Sequence, residues 1–258
     1  MGDPLWSLVS VPGVVLSLVL TAIVTHLITV RTVNQRRDRE RDLQTEAWEK
    51  ERKLLHSLVE TDYLSGLPNT RSLDRQLVQM VANALRSGQP LAVVFMDGVG
   101  FGKINKLYGD PIGDRMIKAL GAALSDQRRA GDTIGRKGGD EFLALLPSTD
   151  ASQALVFAAR MASNVGYVQV RLDGGSQPLL MSLTMGIAVL EVQDGEARVA
   201  GHTWVLNEHR NALLLDEIAA TLMRVADEQQ RRAKSQKDET HAHSVVSVGG
   251  DVRRLPAR

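Results

Sequence analysis

From Leu5 to Val30, a run of 26 residues carries no Asp, Glu, Lys or Arg. As a helix rising about 1.5 Å per residue it would reach about 39 Å, more than the roughly 30 Å hydrocarbon layer of a bilayer. Pro12-Gly13 interrupts the run, so Val14 to Val30 is its firmest helical part and a tilt or kink is expected before it. Only Asp3 lies ahead of the run, whereas Arg31, Arg36, Arg37, Arg39 and Arg41 follow it. The positive-inside rule then keeps the C-terminal side in the cytoplasm, giving a single-pass anchor in the inner (cytoplasmic) membrane. A cleaved signal peptide fits less well, because no basic residue leads the run and no small-x-small site precedes the arginines. Residues 31–60 hold no Gly or Pro and are rich in Arg, Glu, Gln and Leu, which predicts one helical stalk. Its apolar positions, Leu43, Ala47, Trp48, Leu54, Leu55, Leu58 and Val59, form a broken stripe that allows weak parallel pairing with a second copy; the alternative is a solvated linker helix.

The pattern changes after the stalk. Asp62-Tyr63-Leu64-Ser65-Gly66-Leu67-Pro68-Asn69 is a punctuated turn, and Ser72 to Arg86 reads as an amphipathic helix. Leu91 to Met96 is a short apolar run closing on Asp97, as expected of a buried strand with a carboxylate at its end. Helical spacing returns over Gly113 to Gln127 (Met116, Ile117, Leu120, Ala123, Leu124), and Thr133 to Pro147 reads as two strands around a Lys137-Gly138-Gly139-Asp140 turn. A helix over Ala151 to Ser163, strands around Val168 to Leu172 and Leu179 to Leu190, a helix from Leu215 to Lys234 and an edge strand over Val245 to Val248 follow. The fold class is α/β (α+β) with a β-α-β-β-α-β core. Four segments are expected: an anchor over 1–30, a stalk over 31–60, a domain over 61–248 and a tail over 249–258.

Composition narrows the chemistry. With 258 residues, 43% hydrophobic and 24% charged, most of the chain must fold. A net charge of +1 supplies no global basic field, so no nucleic acid partner is expected. The absence of cysteine removes disulfides, thiol catalysis and thiolate-bound metals. His241-Ala242-His243 reads as solvated chain ahead of the last strand. What remains is acidic. Asp97 at a strand end and Asp140-Glu141 in a hairpin converge if their strands are neighbours, offering hard oxygen ligands to Mg²⁺ beside substrate phosphates. Each feature alone is commonplace, since Gly-Gly-Asp is a good turn; their combination suggests phosphoryl chemistry.

Gly138-Gly139-Asp140-Glu141-Phe142 resembles the defining motif of the GGDEF family, and the chain resembles a membrane-anchored diguanylate cyclase from about Asp62 to about Lys237. The segment DYLSGLPN is similar to the family's DxLTGLxN. Asp97, Phe101, Asn105, Gly109, Gly113 and Asp114 fall where DxDxFKxxNDxxGHxxGD places its Asp, Phe, Asn, Gly, Gly and Asp. Arg129 and Asp132 match the RxxD motif, nine residues ahead of Gly138, while Ser182 to Ala188 and Ala226 to Lys234 resemble the late strand and the ADxALYxAK helix. The resemblance implies a palm-like nucleotide cyclase that condenses two GTP into cyclic di-GMP, one GTP per subunit of a homodimer. It implies Mg²⁺ (or Mn²⁺) on Asp97, Asp140, Glu141 and the Gly98 carbonyl, with Glu141 also at the attacking 3′ end. It further implies guanine contacts from Asn105 and Asp114, substrate contacts from Phe101 and Gly139, and Lys234 against the phosphates. Arg129, Asp132 and Arg160 would bind the cyclic di-GMP product as an inhibitor.

Departures qualify this. Val99 replaces the second Asp of DxD, Gly102 the phosphate-binding Lys, Asp110 the His, and Asp238 a late Arg. Lys103 and Lys237 stand one residue out of register. A lost charge-assisted phosphate contact weakens binding by roughly one to two orders of magnitude. Activity is then expected to be weakened, and the alternative is an impaired domain acting as a receptor for GTP or cyclic di-GMP. Extra residues between Leu190 and Leu215, with an Asp194-Gly195 hairpin turn, lengthen the path to the last helix.

Overall fold

The structure is a computed structural model that describes residues 11–58, 60–166, 169–170, 179–206, 212–236 and 244–255. Contacts divide the chain into two units, Met1–Val59 and Glu60–Arg258.

In the first unit, helix α1 spans Val11–Leu58 with Pro12 in its first turn, where a missing N–H removes no helical bond. The segment Leu16–Thr45 contains a window long and apolar enough, by length and composition, to cross a membrane. Its threonine hydroxyls are satisfied internally: Thr21, Thr25 and Thr29 donate to the carbonyls of Ser17, Thr21 and Thr25 at 2.8, 2.6 and 2.8 Å. In a medium without water this is how a polar side chain avoids an unmet hydrogen bond. Leu43 and Trp48 of the expected stripe are exposed, while the side chains of Ala47, Leu54, Leu55, Leu58 and Val59 lie outside the described residues.

The second unit is a sheet with helices on both faces. Its elements are α2 (Thr70–Ser87), β1 (Leu91–Gly98), α3 (Phe101–Tyr108), α4 (Asp110–Ser125), β2 (Thr133–Gly138), β3 (Glu141–Pro147), α5 (Ala151–Gly166), β4 (Gln169–Val170), β5 (Leu179–Leu180), β6 (Leu183–Gln193), β7 (Glu196–Val199), β8 (His202–Val205), α6 (Ala212–Ser235), β9 (Ser244–Val248) and β10 (Asp251–Leu255). The main path is β10-β9-β6-β1-β3-β2, with β7 and β8 extending the far end of β6 and β4-β5 forming a separate pair. All pairings are antiparallel except β6 with β9, which α6 connects as a crossover.

Strand β1 is buried along its whole length, and its alternation sorts the core. Ala92, Val94 and Met96 join Met116, Leu120, Phe157 and Met161 on one face; Leu91, Val93 and Phe95 join Leu73, Leu77, Ile218 and Leu222 on the other. Caps fix the helix ends. Asn69 accepts from the Ser72 amide at 3.1 Å, and Asp150 and Gln153 cap each other reciprocally at the start of α5. Gly186 of β6 sits where α6 crosses: a Cβ there would collide with the Ala226 carbonyl and the Gln230 amide.

Three details differ from expectation. The stretch before Gly113 contains a second helix, α3, and α4 begins at Asp110, because Pro111 occupies a favourable first-turn position. Val245–Val248 belongs to β9 but is not the edge: Gly249 and Gly250, both at positive φ, turn the chain into β10, so residues 251–255 of the expected tail are a strand. The Val168–Leu172 strand is reduced to Gln169–Val170 among the described residues and stands off the main sheet. The Asp194-Gly195 turn is present, with φ of 52° and 77° joining β6 to β7.

Candidate active site

Three strand ends and one helix end meet at the Asp97 end of the sheet. Asp97 stands opposite Glu141 on β3 and opposite Thr184 on β6, so the three side chains project from the same face. Between β2 and β3 the chain reverses through Gly139, at φ 51°, and Asp140. The Gly98 amide donates to the Asp140 carbonyl at 3.2 Å. The Asp140 carboxylate lies over Gly98, where an added Cβ would touch its Cβ at 3.4 Å and Oδ2 at 3.5 Å. Burial, and then the neighbouring Asp97 carboxylate, push the Asp140 carboxyl above its usual value, against the pull of its own amide and of Lys234. Asp97 itself is 5% exposed. Its Oδ2 accepts from the Lys234 ammonium at 2.8 Å, whereas its Oδ1 is buried without a partner.

The sequence-based set is therefore brought together in part. Asp97, Gly98, Asp140 and Lys234 converge, with Glu141 across the ladder from Asp97. Among the described residues no three carboxylate or imidazole side chains gather at one point. The orphaned Asp97 oxygen beside a second carboxylate with a raised pKa suits a divalent cation, which would relieve both the lost hydrogen bond and the repulsion. Lys234, expected against phosphates, holds Asp97 Oδ2 in this structure.

The expected guanine contacts form a second cluster. Asn105 on α3 and Asp114 on α4 flank Gly113, and the Asn105 carboxamide occupies the space a Cβ on Gly113 would fill. Asn105 Oδ1 is buried and unpartnered, and Asp114 is exposed. Phe101 packs against the core on the α4–α5 face. The surroundings of Gly102 are open, with nothing within 4 Å of an added Cβ, and Val99 is nearly buried, its amide donating to the Ser182 carbonyl at 2.9 Å. At the RxxD segment, Asp132 Oδ2 accepts from the Arg129 amide at 2.9 Å, and the Asp132 amide donates back to the Arg129 carbonyl at 3.1 Å. Arg160 on α5 has its guanidinium 5.7 Å from the Phe157 ring centre and a buried Nε without a partner. Lys237, Asp238, His241 and His243 lie outside the described residues.

The sequence reading missed what supports the glycine turn. Arg136 Nε donates to the Gly139 carbonyl at 2.8 Å, and its Nη1 reaches Asp62 Oδ1 and Oδ2 at 3.0 and 3.1 Å. Thr70 donates to the Lys137 carbonyl at 2.7 Å, and the Arg136 amide to the Pro68 carbonyl at 2.8 Å. The Asp62–Asn69 turn thus straps the hairpin from below. Burial pushes the Asp62 carboxyl up, but the amide and hydroxyl of Ser65 and the Arg136 guanidinium together outweigh it and hold the group below its usual value. The available signal was an arginine two residues ahead of Gly138 and an acid heading the turn.

Comparison with known proteins agrees with this geometry. The family model described as the diguanylate cyclase GGDEF domain matches residues 59–200, more than half of the chain. The diguanylate cyclase DgcP of Pseudomonas aeruginosa is 32% identical over 157 residues, covering 58% of this chain and 23% of its own. The response regulator PleD of Caulobacter vibrioides is 32% identical over 131 residues, covering 51% and 29%. The chain thus spans about a quarter of the length of these curated relatives. Among solved structures, the GGDEF domain of YfiN (TpbB) from Pseudomonas aeruginosa aligns with a TM-score of 0.57 at 27% identity, over 73% of this chain and 94% of that one. That of DgcB from Caulobacter crescentus, solved in complex with cyclic di-GMP, aligns at 0.59 and 18% identity over 75% and 97%, a likeness of fold. With the glycine hairpin, the strand-end aspartate and the family match in one domain, the chain belongs to the GGDEF diguanylate cyclase domain family.

Proposed function

We propose that the chain is a membrane-anchored diguanylate cyclase that joins two GTP into cyclic di-GMP and releases two pyrophosphates. The observation that carries the reading is the Asp140 carboxylate lying over Gly98, the residue next to Asp97, whose Oδ1 is left bare, so that the missing side chains of Gly98 and Gly139 leave room beside it. Mg²⁺ or Mn²⁺ held by Asp97, Asp140, the Gly98 carbonyl and Glu141 would supply positive charge on the triphosphate and acidify the attacking hydroxyl. Asn105 offers its unpartnered oxygen, and Asp114 its carboxylate, to the ring N–H and amino group of guanine. Adenine would leave those acceptors unmet, which supports strong discrimination. Glu141 faces the 3′ hydroxyl and accepts its proton as that oxygen adds in line to the α-phosphate of the second nucleotide, with pyrophosphate leaving on the opposite side. Each copy holds one GTP, so two copies must meet. The apolar window of α1 and the arginines after it support a single-pass anchor in the cytoplasmic membrane with the domain in the cytoplasm. Arg129, Asp132 and Arg160 form the product-inhibition site in this reading.

Val99, Gly102 and Asp238, where the family carries the second Asp of DxD, a phosphate-binding Lys and a late Arg, favour a second reading as a receptor for GTP or cyclic di-GMP. One assay separates them. The full chain in detergent, stripped of bound nucleotide and given GTP and Mg²⁺, yields cyclic di-GMP and pyrophosphate in a one-to-two ratio if it is a cyclase. Tight nucleotide binding with no cyclic product at high protein concentration establishes the receptor instead.

A further inference from the structure

Lys234 carries a flexible four-carbon stem, so the reach of its ammonium depends on where α6 places its backbone. Three buried contacts set that placement. The α6 backbone rests on Gly186 of β6 at Ala226 and Gln230. One turn before Lys234, Gln230, 3% exposed, donates its side-chain amide to the Thr184 hydroxyl at 2.8 Å. Beside it, Gln229 Oε1 accepts from the Ser247 hydroxyl at 2.6 Å and from the Gly250 amide at 3.1 Å, which ties the same turn to β9 and its hairpin.

Thr184 is the residue directly across the ladder from Asp97. Two parallel rungs therefore join α6 to the sheet, Gln230 to Thr184 and, four residues later, Lys234 to Asp97. Apolar helix contacts tolerate a small slide. A buried amide does not, because a slide leaves both amide and hydroxyl without partners. Where the family motif ADxALYxAK has Ala and Leu, this chain has Gln229 and Gln230, so the rungs are polar at positions that packing alone could fill.

We propose that Gln230, through its hydrogen bond to Thr184, is a positioning residue that fixes the height of Lys234 over the Asp97–Asp140 pair and so tunes its contact with the nucleotide phosphates. The phosphate contact rests on the cyclase reading; the positioning of Lys234 over Asp97 does not.

The test uses the full chain in detergent and the α,β-methylene analogue of GTP with Mg²⁺, which binds without turnover. Gln230→Leu and Thr184→Val, each close in volume to the residue replaced, are expected to weaken binding roughly three- to tenfold. Turnover of GTP then shows a raised KM with a smaller change in kcat. Thr184→Ser keeps the acceptor and retains most of the affinity. In a Lys234→Ala background, Gln230→Leu adds nothing further. The proposal is overturned if Thr184→Val binds as tightly as the unaltered chain, or if the effects of Gln230→Leu and Lys234→Ala multiply in full. If the unaltered chain binds no analogue, the cyclase reading fails separately, and the same cycle is read from thermal unfolding without nucleotide. There Gln230→Leu lowers Tm less in the Lys234→Ala background than alone if the rungs are coupled, and equally in both if the positioning role is wrong.

Discussion

Gly102 is the residue of the site most open to change. Its surroundings are empty, its backbone is ordinary helix, and it lies in the first turn of α3. Gly102→Lys is expected to raise GTP affinity by roughly one to two orders of magnitude through a charge-assisted phosphate contact. It should also stabilise α3 slightly, since Lys is the better helix former by up to about 1 kcal/mol. Isothermal titration with GTP and Mg²⁺ reads the first effect, and an unchanged affinity would show that the helix does not face the phosphates. Gly113 is the opposite case, because the Asn105 carboxamide fills the place of its absent side chain. Gly113→Ala displaces that carboxamide, and in the cyclase reading guanosine nucleotides should then bind at least roughly tenfold more weakly, through the loss of one or more hydrogen bonds to the base. Competition between GTP and ATP measures the loss directly, as a narrowed preference.

At the scale of elements, the glycine hairpin is held by a turn far away in sequence. Arg136 and Asp62 are 74 positions apart, and Lys234 and Asp97 are 137 apart. Neither pairing could be read from local pattern, which reports only which face of a strand or helix is buried. The strand ending at Asp97, the two strands around Gly139 and the amphipathic helices were readable for that reason. By contrast, α3 was hidden by Gly102 and by its lack of any buried residue. Strand β10 was hidden because Arg253 and Arg254 resemble solvated charge, and on an edge strand they remain exposed. The strap makes a pH prediction. Asp62 is held below its unfolded value of 3.8, so its stabilising contribution is complete above that value and is lost as pH falls through the lower folded one. Urea unfolding of the full chain should therefore show Asp62→Asn less stable at pH 6 to 7, with the gap closing below about pH 4. A gap that persists undiminished at pH 3 would mean that the carboxylate charge is not what holds the hairpin.

For the whole molecule, the two units ask for different surroundings. Thr21, Thr25 and Thr29 of α1 turn their hydroxyls back on its own carbonyls while Leu16, Leu20, Ile23, Val24 and Leu27 stand exposed, an arrangement suited to lipid. Expressed full chain should sediment with membranes and resist extraction by high salt or alkaline carbonate, and replacing Leu20 and Val24 by Arg should release it. If the full chain stays in the supernatant, the anchor is wrong whatever the domain does. Pairing is a matter of mass action: the cyclase reading expects the rate per subunit to rise with protein concentration in detergent until dimers saturate.

The bare hydrogen at Gly186 has a longer reach than its own contact. Ordinarily a layer of side chains separates a helix from the sheet beneath it; here that spacer is missing at one point, and the two main chains abut. Lys234 stands eight residues beyond Ala226, about 12 Å along the axis, and inherits the thinness. A cation on one storey of the fold can grip a carboxylate on the next because the floor between them has been left out.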